Sequence, residues 1–352
     1  MAKRKLPLKD TPEAKNIIDR FINGERETLA KDLGYVRYDS LTRAMAQYYG
    51  VAGDNSVDYT AKAALPPVIN LPNIKLQTYK PIKQYRKGDP ETQGLALGDH
   101  HWCEITPTFN PDIAKARYDK IYKSTMSITS LHRNMYPIND LVIWLLGDMV
   151  HGENPYQGAR VGSILCGAQE QIYDYALPNL LSLILSFKQE FKTVTVRAVK
   201  GNHGRYSKEA PDTTNWDMML YKALKPLLER YGVRMEVSDD FCDISTIGGY
   251  KFFAFHGHQI QARQGIPYFA LVRKILSWYV TYGNFDYALC GHYHKDDFLR
   301  ISSKTKAFIN GSLVSDDPFA LEVIGTSSIP SQWTFGVHEK HGITWSYSLN
   351  VE

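Results

Sequence analysis

From Gly94 onward the chain alternates short hydrophobic runs with longer segments in which apolar residues recur at helical spacing. The runs at 95–97, 141–146, 194–199, 252–255 and 287–290 each end at glycine or a polar cluster, which is how buried strands read. Between them, 111–135, 169–191, 215–231 and 267–282 read as helices, the third capped by Thr214 or Asn215. Beyond His294 the pattern changes, and 298–301, 307–309, 332–337 and 343–349 read as strands joined by turns such as Lys340-His341-Gly342. The whole predicts one α/β domain over 94–352, finished by antiparallel strands.

The front of the chain follows another period. Thr11-Pro12-Glu13 supplies an N-cap, a first-position proline and an early acid, opening a helix whose apolar face holds Ala14, Ile17, Ile18, Phe21 and Ile22. Asn23-Gly24 ends it. A second helix is predicted over 27–33, Gly34 makes the turn, and a third over 38–49 carries Leu41, Ala44, Met45 and Tyr48 on one face. The Ala30-x-x-x-Gly34 spacing before an amphipathic helix resembles a helix-turn-helix, in which a small residue lets two helices pack closely and glycine supplies the left-handed turn. Residues 1–50 therefore read as a small all-α module. It is either a DNA-binding one, with Arg37 and Arg43 meeting the nucleic acid, or a three-helix unit that docks a protein. Residues 51–93, broken by Pro66, Pro67, Pro72, Pro81 and Pro90, read as a basic connector.

Charge sharpens the division. Residues 1–90 hold 16 Lys/Arg against 10 Asp/Glu and the remainder 25 against 27, so the net charge of +4 arises wholly at the front. A basic module on a nearly neutral body predicts a polyanionic partner, and DNA is the expected one. No apolar run reaches the roughly 18 residues of a membrane span. The start Met1-Ala2-Lys3-Arg4-Lys5 leads into no signal-peptide core, and the four cysteines form no CxxC pair. A soluble, cytoplasmic protein with reduced thiols is expected.

The chemistry lies at the strand exits, where parallel sheets place their ligands. They read Gly98-Asp99-His100-His101, Gly147-Asp148-Met149-Val150-His151-Gly152, Gly201-Asn202-His203-Gly204-Arg205, His256-Gly257-His258 and Gly291-His292-Tyr293-His294. Seven of the eleven histidines fall in the four clusters other than that of Asp148. Residues two apart on an extended segment point the same way, so Asp99 and His101 can share one ion while His100 faces elsewhere, as can His292 and His294. Oxygen combined with imidazole nitrogen suits manganese, zinc, iron or nickel. Of the rest, His132, His338 and His341 read as surface residues and Tyr173, Tyr221 and Tyr279 as core.

Taken in order, these clusters resemble the Asp-x-His, Gly-Asp, Gly-Asn-His, His and Gly-His-x-His signature of the calcineurin-like metallophosphoesterases, over 94–311. The resemblance implies a four-layer α-β-β-α sandwich holding two divalent metals, manganese being the first expectation. By the same resemblance Asp99, His101 and His294 hold one metal, Asn202, His256 and His292 the other, and Asp148 bridges them. A metal-bridging hydroxide would attack the phosphoester while His203 protonates the leaving oxygen. Asp148-x-x-His151 with Glu153-Asn154 beyond resembles the family's nuclease branch, so a phosphodiesterase that hydrolyses DNA is implied. A phosphomonoesterase or protein phosphatase is the alternative. Three residues depart from the pattern. Gly152 is extra, Tyr293 is bulky enough to narrow the pocket or offer a stacking face, and Gly204 replaces an acid, so that Asp212 or Asp217 is expected to orient His203. His151, Arg205, His258 and Tyr293 are candidates for contact with substrate. For His258 the other reading is orientation of a ligand, and for His151 a loop-stabilising hydrogen bond.

Overall fold

A computed structural model describes residues 6–7, 11–35, 38–49, 77, 88–153, 163–207, 210–260, 266–315 and 329–352. The chain forms two compact units, 1–71 and 72–352. Most of the connector expected over 51–93 lies outside the described residues, as does Arg37.

The first unit holds α1 (Pro12–Ile22), α2 (Arg26–Asp32) and α3 (Tyr38–Tyr49). Thr11 caps α1 by accepting from the Ala14 amide at 3.2 Å, with Pro12 at the first helical position. Gly34 turns the chain with φ +77°, a conformation cheap only for glycine. The apolar faces meet in one cluster of Ala14, Ile17, Phe21, Leu29, Ala30, Leu33, Leu41, Met45 and Tyr49. Ile22, expected on that face, is 59% exposed. It is the last residue of its helix and no following turn covers it. Arg43 is exposed on α3.

The second unit contains β1 (Glu91–Leu97), α4 (Pro111–Arg133), β2 (Ile138–Leu145), the short α5 (Ala168–Glu170) and α6 (Leu177–Glu190), followed by β3 (Thr193–Ala198), α7 (Trp216–Arg230) and β4 (Arg234–Val237). Then come β5 (Cys242–Ile247), β6 (Tyr250–Phe255), α8 (Tyr268–Thr281), β7 (Tyr287–Cys290), β8 (Asp297–Arg300), β9 (Lys306–Ile309), β10 (Ser331–His338) and β11 (Gly342–Asn350). β1 starts before residue 94 because Glu91 to Gln93 also pair, with β10 on one side and β2 on the other.

One sheet runs β11-β10-β1-β2-β3-β4 and the other β5-β6-β7-β9-β8. In the first, β1 to β4 are parallel and β10 and β11 antiparallel. In the second, β6, β7 and β9 are parallel and the edges β5 and β8 antiparallel. The expectation of a purely antiparallel finish is corrected by β9, which extends the parallel core before the chain returns to the first sheet through β10.

Alternation along each strand builds the layers. Phe252 and Ala254 face the first sheet's Trp144, Leu146 and Phe335, forming the core between the sheets, and Phe252 stacks on Phe335 at 5.8 Å. Phe253 and Phe255 point the other way, onto Leu271, Ile275 and Trp278 of α8. Helices α4, α6 and α7 cover the outer face of the first sheet. This is the four-layer α-β-β-α sandwich, and it brings the carboxyl ends of β1, β2, β3, β6 and β7 to one edge. No helix among the described residues is long and apolar enough to cross a membrane. The four cysteines are free, with Cys103, Cys242 and Cys290 buried.

Candidate metal centre

Parallel strands deliver their following loops to one edge, and the backbone there is bent hard. Six non-glycine residues among those described have positive φ, and five of them are Asp99 (55°), His101 (46°), Asp148 (51°), His292 (76°) and His294 (55°). Each such residue costs roughly 1–3 kcal/mol and persists only where its surroundings over-determine it. The motif glycines explain how the carboxylates fit so closely. A Cβ on Gly201 would lie 2.1 Å from Asp148 Oδ1, and one on Gly291 2.2 Å from Asp99 Oδ2.

Imidazoles and carboxylates meet in two groups, and His101, His151 and His203 form a third of imidazoles alone. In one, His101 Nε2 lies 2.9 Å from His294 Nε2, and Asp99 Oδ1 lies 3.9 and 3.5 Å from those two nitrogens. In the other, His256 Nε2 lies 2.8 Å from Asp148 Oδ2 and 3.1 Å from Asn202 Oδ1, and His292 completes the cluster with Asp148 and His256. His256 is aimed by its Nδ1, 2.7 Å from the Leu146 carbonyl. Asp99 accepts from the His292 amide with both oxygens at 2.9 Å, and Asp148 accepts from the His203 amide at 2.8 Å. The first pair of bonds locks strand exits of opposite sheets together, and the second joins neighbouring exits of one sheet. His100 is buried and turned away, with Nδ1 2.7 Å from the Tyr118 hydroxyl.

Electrostatics shows what the pocket accepts. Burial pushes the imidazoles of His101 and His292 well below their ordinary value and that of His294 to about 4, so each offers a lone pair rather than a charge at neutral pH. Burial alone would also lower His256 and raise Asp148. The attraction between these two dominates, taking His256 up to about 9 and Asp148 well below the carboxylate range. Asp148 Oδ2 and His101 Nδ1 are buried without a well-formed hydrogen bond. Asp148 draws in positive charge, burial pushes the Asp99 carboxyl well above its ordinary range, and both stand among the neutral imidazoles of His101, His292 and His294. Carboxyl oxygen and imidazole nitrogen gathered in this way are a donor set for divalent cations.

The remaining candidates fall around this centre. His203 packs edge-on to His101 with ring centroids 4.5 Å apart, and its Nδ1 lies 3.2 Å from the His151 carbonyl. Asp217, one of the two acids expected to orient the His203 ring, instead accepts from the amides of Asp148 (2.8 Å), Met149 (3.0 Å) and Gly201 (2.8 Å). It thus pins the loops after β2 and β3 to each other. The Asp212 side chain lies outside the described residues. His151 Nδ1 is 3.1 Å from Glu104 Oε2, and both residues are buried. Arg205 Nη2 lies 2.6 Å from His258 Nε2 across the mouth. The Tyr293 hydroxyl donates toward the carbonyls of Gly257 (3.1 Å) and Ile260 (3.2 Å), strapping down the loop after β6.

Sequence reasoning missed Glu104 and Gln171. An acid three residues past His101 in an otherwise apolar loop was the available signal for Glu104. Gln171 gave none. It opens a π-helical stretch, Gln171–Ala176, and its side-chain amide both accepts from the Gly152 amide (3.0 Å) and donates to the Gly152 carbonyl (3.1 Å), fixing the residue next to His151. Two minor expectations are also corrected. Tyr173 is 39% exposed, and His132 is half-buried, stacked on Trp345 at 4.2 Å.

The family description "Calcineurin-like phosphoesterase" matches residues 95–296, which contain every motif residue of the centre. No curated protein matches the chain in sequence. Solved structures similar to it include zinc-complexed Vps29 from Entamoeba histolytica, at 14% identity over 73% of this chain and 99% of that one, with a TM-score of 0.34. A 5'-nucleotidase from Candida albicans aligns at 10% identity over 76% and 53%, with a TM-score of 0.35. A purple acid phosphatase from yellow lupin seeds aligns at 11% over 76% and 55%, with a TM-score of 0.34.

Proposed function

This chain belongs to the calcineurin-like phosphoesterase family, and from that premise we propose that it is a two-metal phosphodiesterase that hydrolyses DNA. The observation that carries the reading is the pair of donor clusters, Asp99/His101/His294 and Asp148/His256/His292, with His203 in a third beside His101 and His151. Asp99, His101 and His294 would hold one divalent cation, manganese by preference, and Asn202, His256 and His292 the other. Asp148 would serve both. When bound, the two cations supply Lewis acidity and offset the charge that builds on a phosphoryl group in its transition state.

The chain's own groups do the rest. His203, with Nδ1 held toward the His151 carbonyl, keeps its Nε2 for the proton that the leaving oxygen takes up. His151, steadied by Glu104, and Arg205, steadied by His258, would bind the phosphate's outer oxygens. The preference for DNA rests on the basic front of the chain, on Arg43 exposed along α3, on Arg37 just before it, and on the Asp148-x-x-His151 spacing. Cytoplasmic localisation belongs to the same proposal.

The deciding experiment is one activity panel with manganese: a small phosphodiester, a small phosphomonoester, and linear, circular and single-stranded DNA. Turnover of the diester and of at least one DNA is expected. Turnover of the monoester alone would replace this reading with a phosphatase whose helical unit docks a protein.

A further inference from the structure

Beside His203 the chain encloses a cavity of about 170 Å³, lined by Arg205, Tyr206, Ser207, Pro211, Thr214 and Asn215 among others. Asn215 donates through Nδ2 to the Gly201 carbonyl at 3.0 Å and accepts at Oδ1 from the Asp217 amide at 2.9 Å, which ties this lining residue to the loop that presents Asn202 and His203. On one wall the Arg205 guanidinium is held 2.6 Å from His258 Nε2. Tyr206 stands at the mouth, 76% exposed, whereas Tyr118 and Tyr221 are at most 4% exposed.

An aromatic ring left in water three residues from the general acid, over a cavity and beside a fixed cation, has the form of a platform for a flat ring attached to a phosphate. We propose that the cavity receives the nucleoside joined to the scissile phosphate, with Tyr206 stacking on its base and Arg205 facing the adjoining phosphate. The inference rests on the phosphodiesterase reading and deepens it by naming the residues that would favour a nucleotide diester. Stacking needs only a π-face, so this subsite favours nucleotides over other diesters without selecting among bases.

The test compares two diesters with the same leaving group, one carrying a base and one not: thymidine 5'-(p-nitrophenyl phosphate) and methyl p-nitrophenyl phosphate, each with manganese and the full chain. The wild-type protein should favour the thymidine ester in kcat/KM. Tyr206→Ala should cut that preference by about 5- to 150-fold, the range that loss of one stacked base implies, mainly by raising KM. Tyr206→Phe should keep the preference within about twofold, because the ring remains. An unchanged preference in Tyr206→Ala, or none in the wild type, overturns the subsite while leaving diester hydrolysis standing. If the wild type cleaves neither diester but does cleave a phosphomonoester, the proposed function fails and the subsite with it.

Discussion

In the three-helix unit the described residues withdrawn from water are Ala14, Ile17, Phe21, Leu29, Ala30, Leu33, Leu41, Met45 and Tyr49, none of them ionisable near neutral pH. In the two-sheet unit the fully buried set includes Asp99, His101, Asp148 and His256. A core of the first kind needs only shape and volume, and it is stabilised by the area it hides from water. A core of the second kind costs free energy unless every charge is matched, and it is held by directed bonds such as the three amides that Asp217 accepts. The first kind of interior makes a fold and leaves function to its surface. The second is where chemistry is expected, and the left-handed backbone at Asp99, His101, Asp148, His292 and His294 marks the same place.

The sharpest way to break this comparison is Asp148→Asn. Removing the shared charge should release most bound metal and lower diester turnover on the order of 10³-fold or more. Two metals per chain by elemental analysis, together with near-normal activity, would refute the dimetal centre. Next in size is His203→Ala, which should retain both metals and slow cleavage by about 10²- to 10⁴-fold. That loss should shrink as the leaving group improves, because a good leaving group needs no proton. An equal loss across leaving groups would remove His203 from the role of acid.

Removing residues 1–71 tests the other half of the comparison. Duplex DNA binding should weaken and its salt dependence flatten, since fewer counterions are then released, while kcat and KM for a small diester stay within about twofold. Binding equal to that of the full chain at every salt concentration would assign the helical unit to a protein partner. The smallest effect is expected of Asp217→Asn. It keeps one acceptor where the carboxylate offered two and should cost about 1–3 kcal/mol, read as a modest fall in Tm, with reduced metal affinity because the loops bearing Asp148 and Asn202 are no longer tied. Wild-type stability and affinity would show that those loops hold each other without it.

The sequence by itself marked most of the elements, though neither β4 nor β5, and the polar clusters that the structure gathers at one edge. Thr11-Pro12 marks the start of α1, and alternation puts Phe252 and Phe253 on opposite faces. An apolar run ending in Gly-Asp, Gly-Asn-His or Gly-His-x-His says where a strand stops and which side chains follow it. All of these are signals between near neighbours in the chain, carried by backbone preference and hydrophobic period, and they survive in a one-dimensional reading.

Only the tertiary structure decided which groups meet. Asp217 reaches the Asp148 amide from 69 residues away, and Gln171 reaches Gly152 from 19. The His203 ring nitrogen lies against the carbonyl of His151, Asp217 is engaged with backbone amides instead of that ring, and β9 pairs parallel where alternation alone could not give direction. Ile22 and Tyr173 sit at helical spacing yet face water, because periodicity names a face without saying how far along the helix its cover extends. Distant partners are chosen by packing, once sheets and helices have fixed each other's positions, and no local pattern in the chain records that choice.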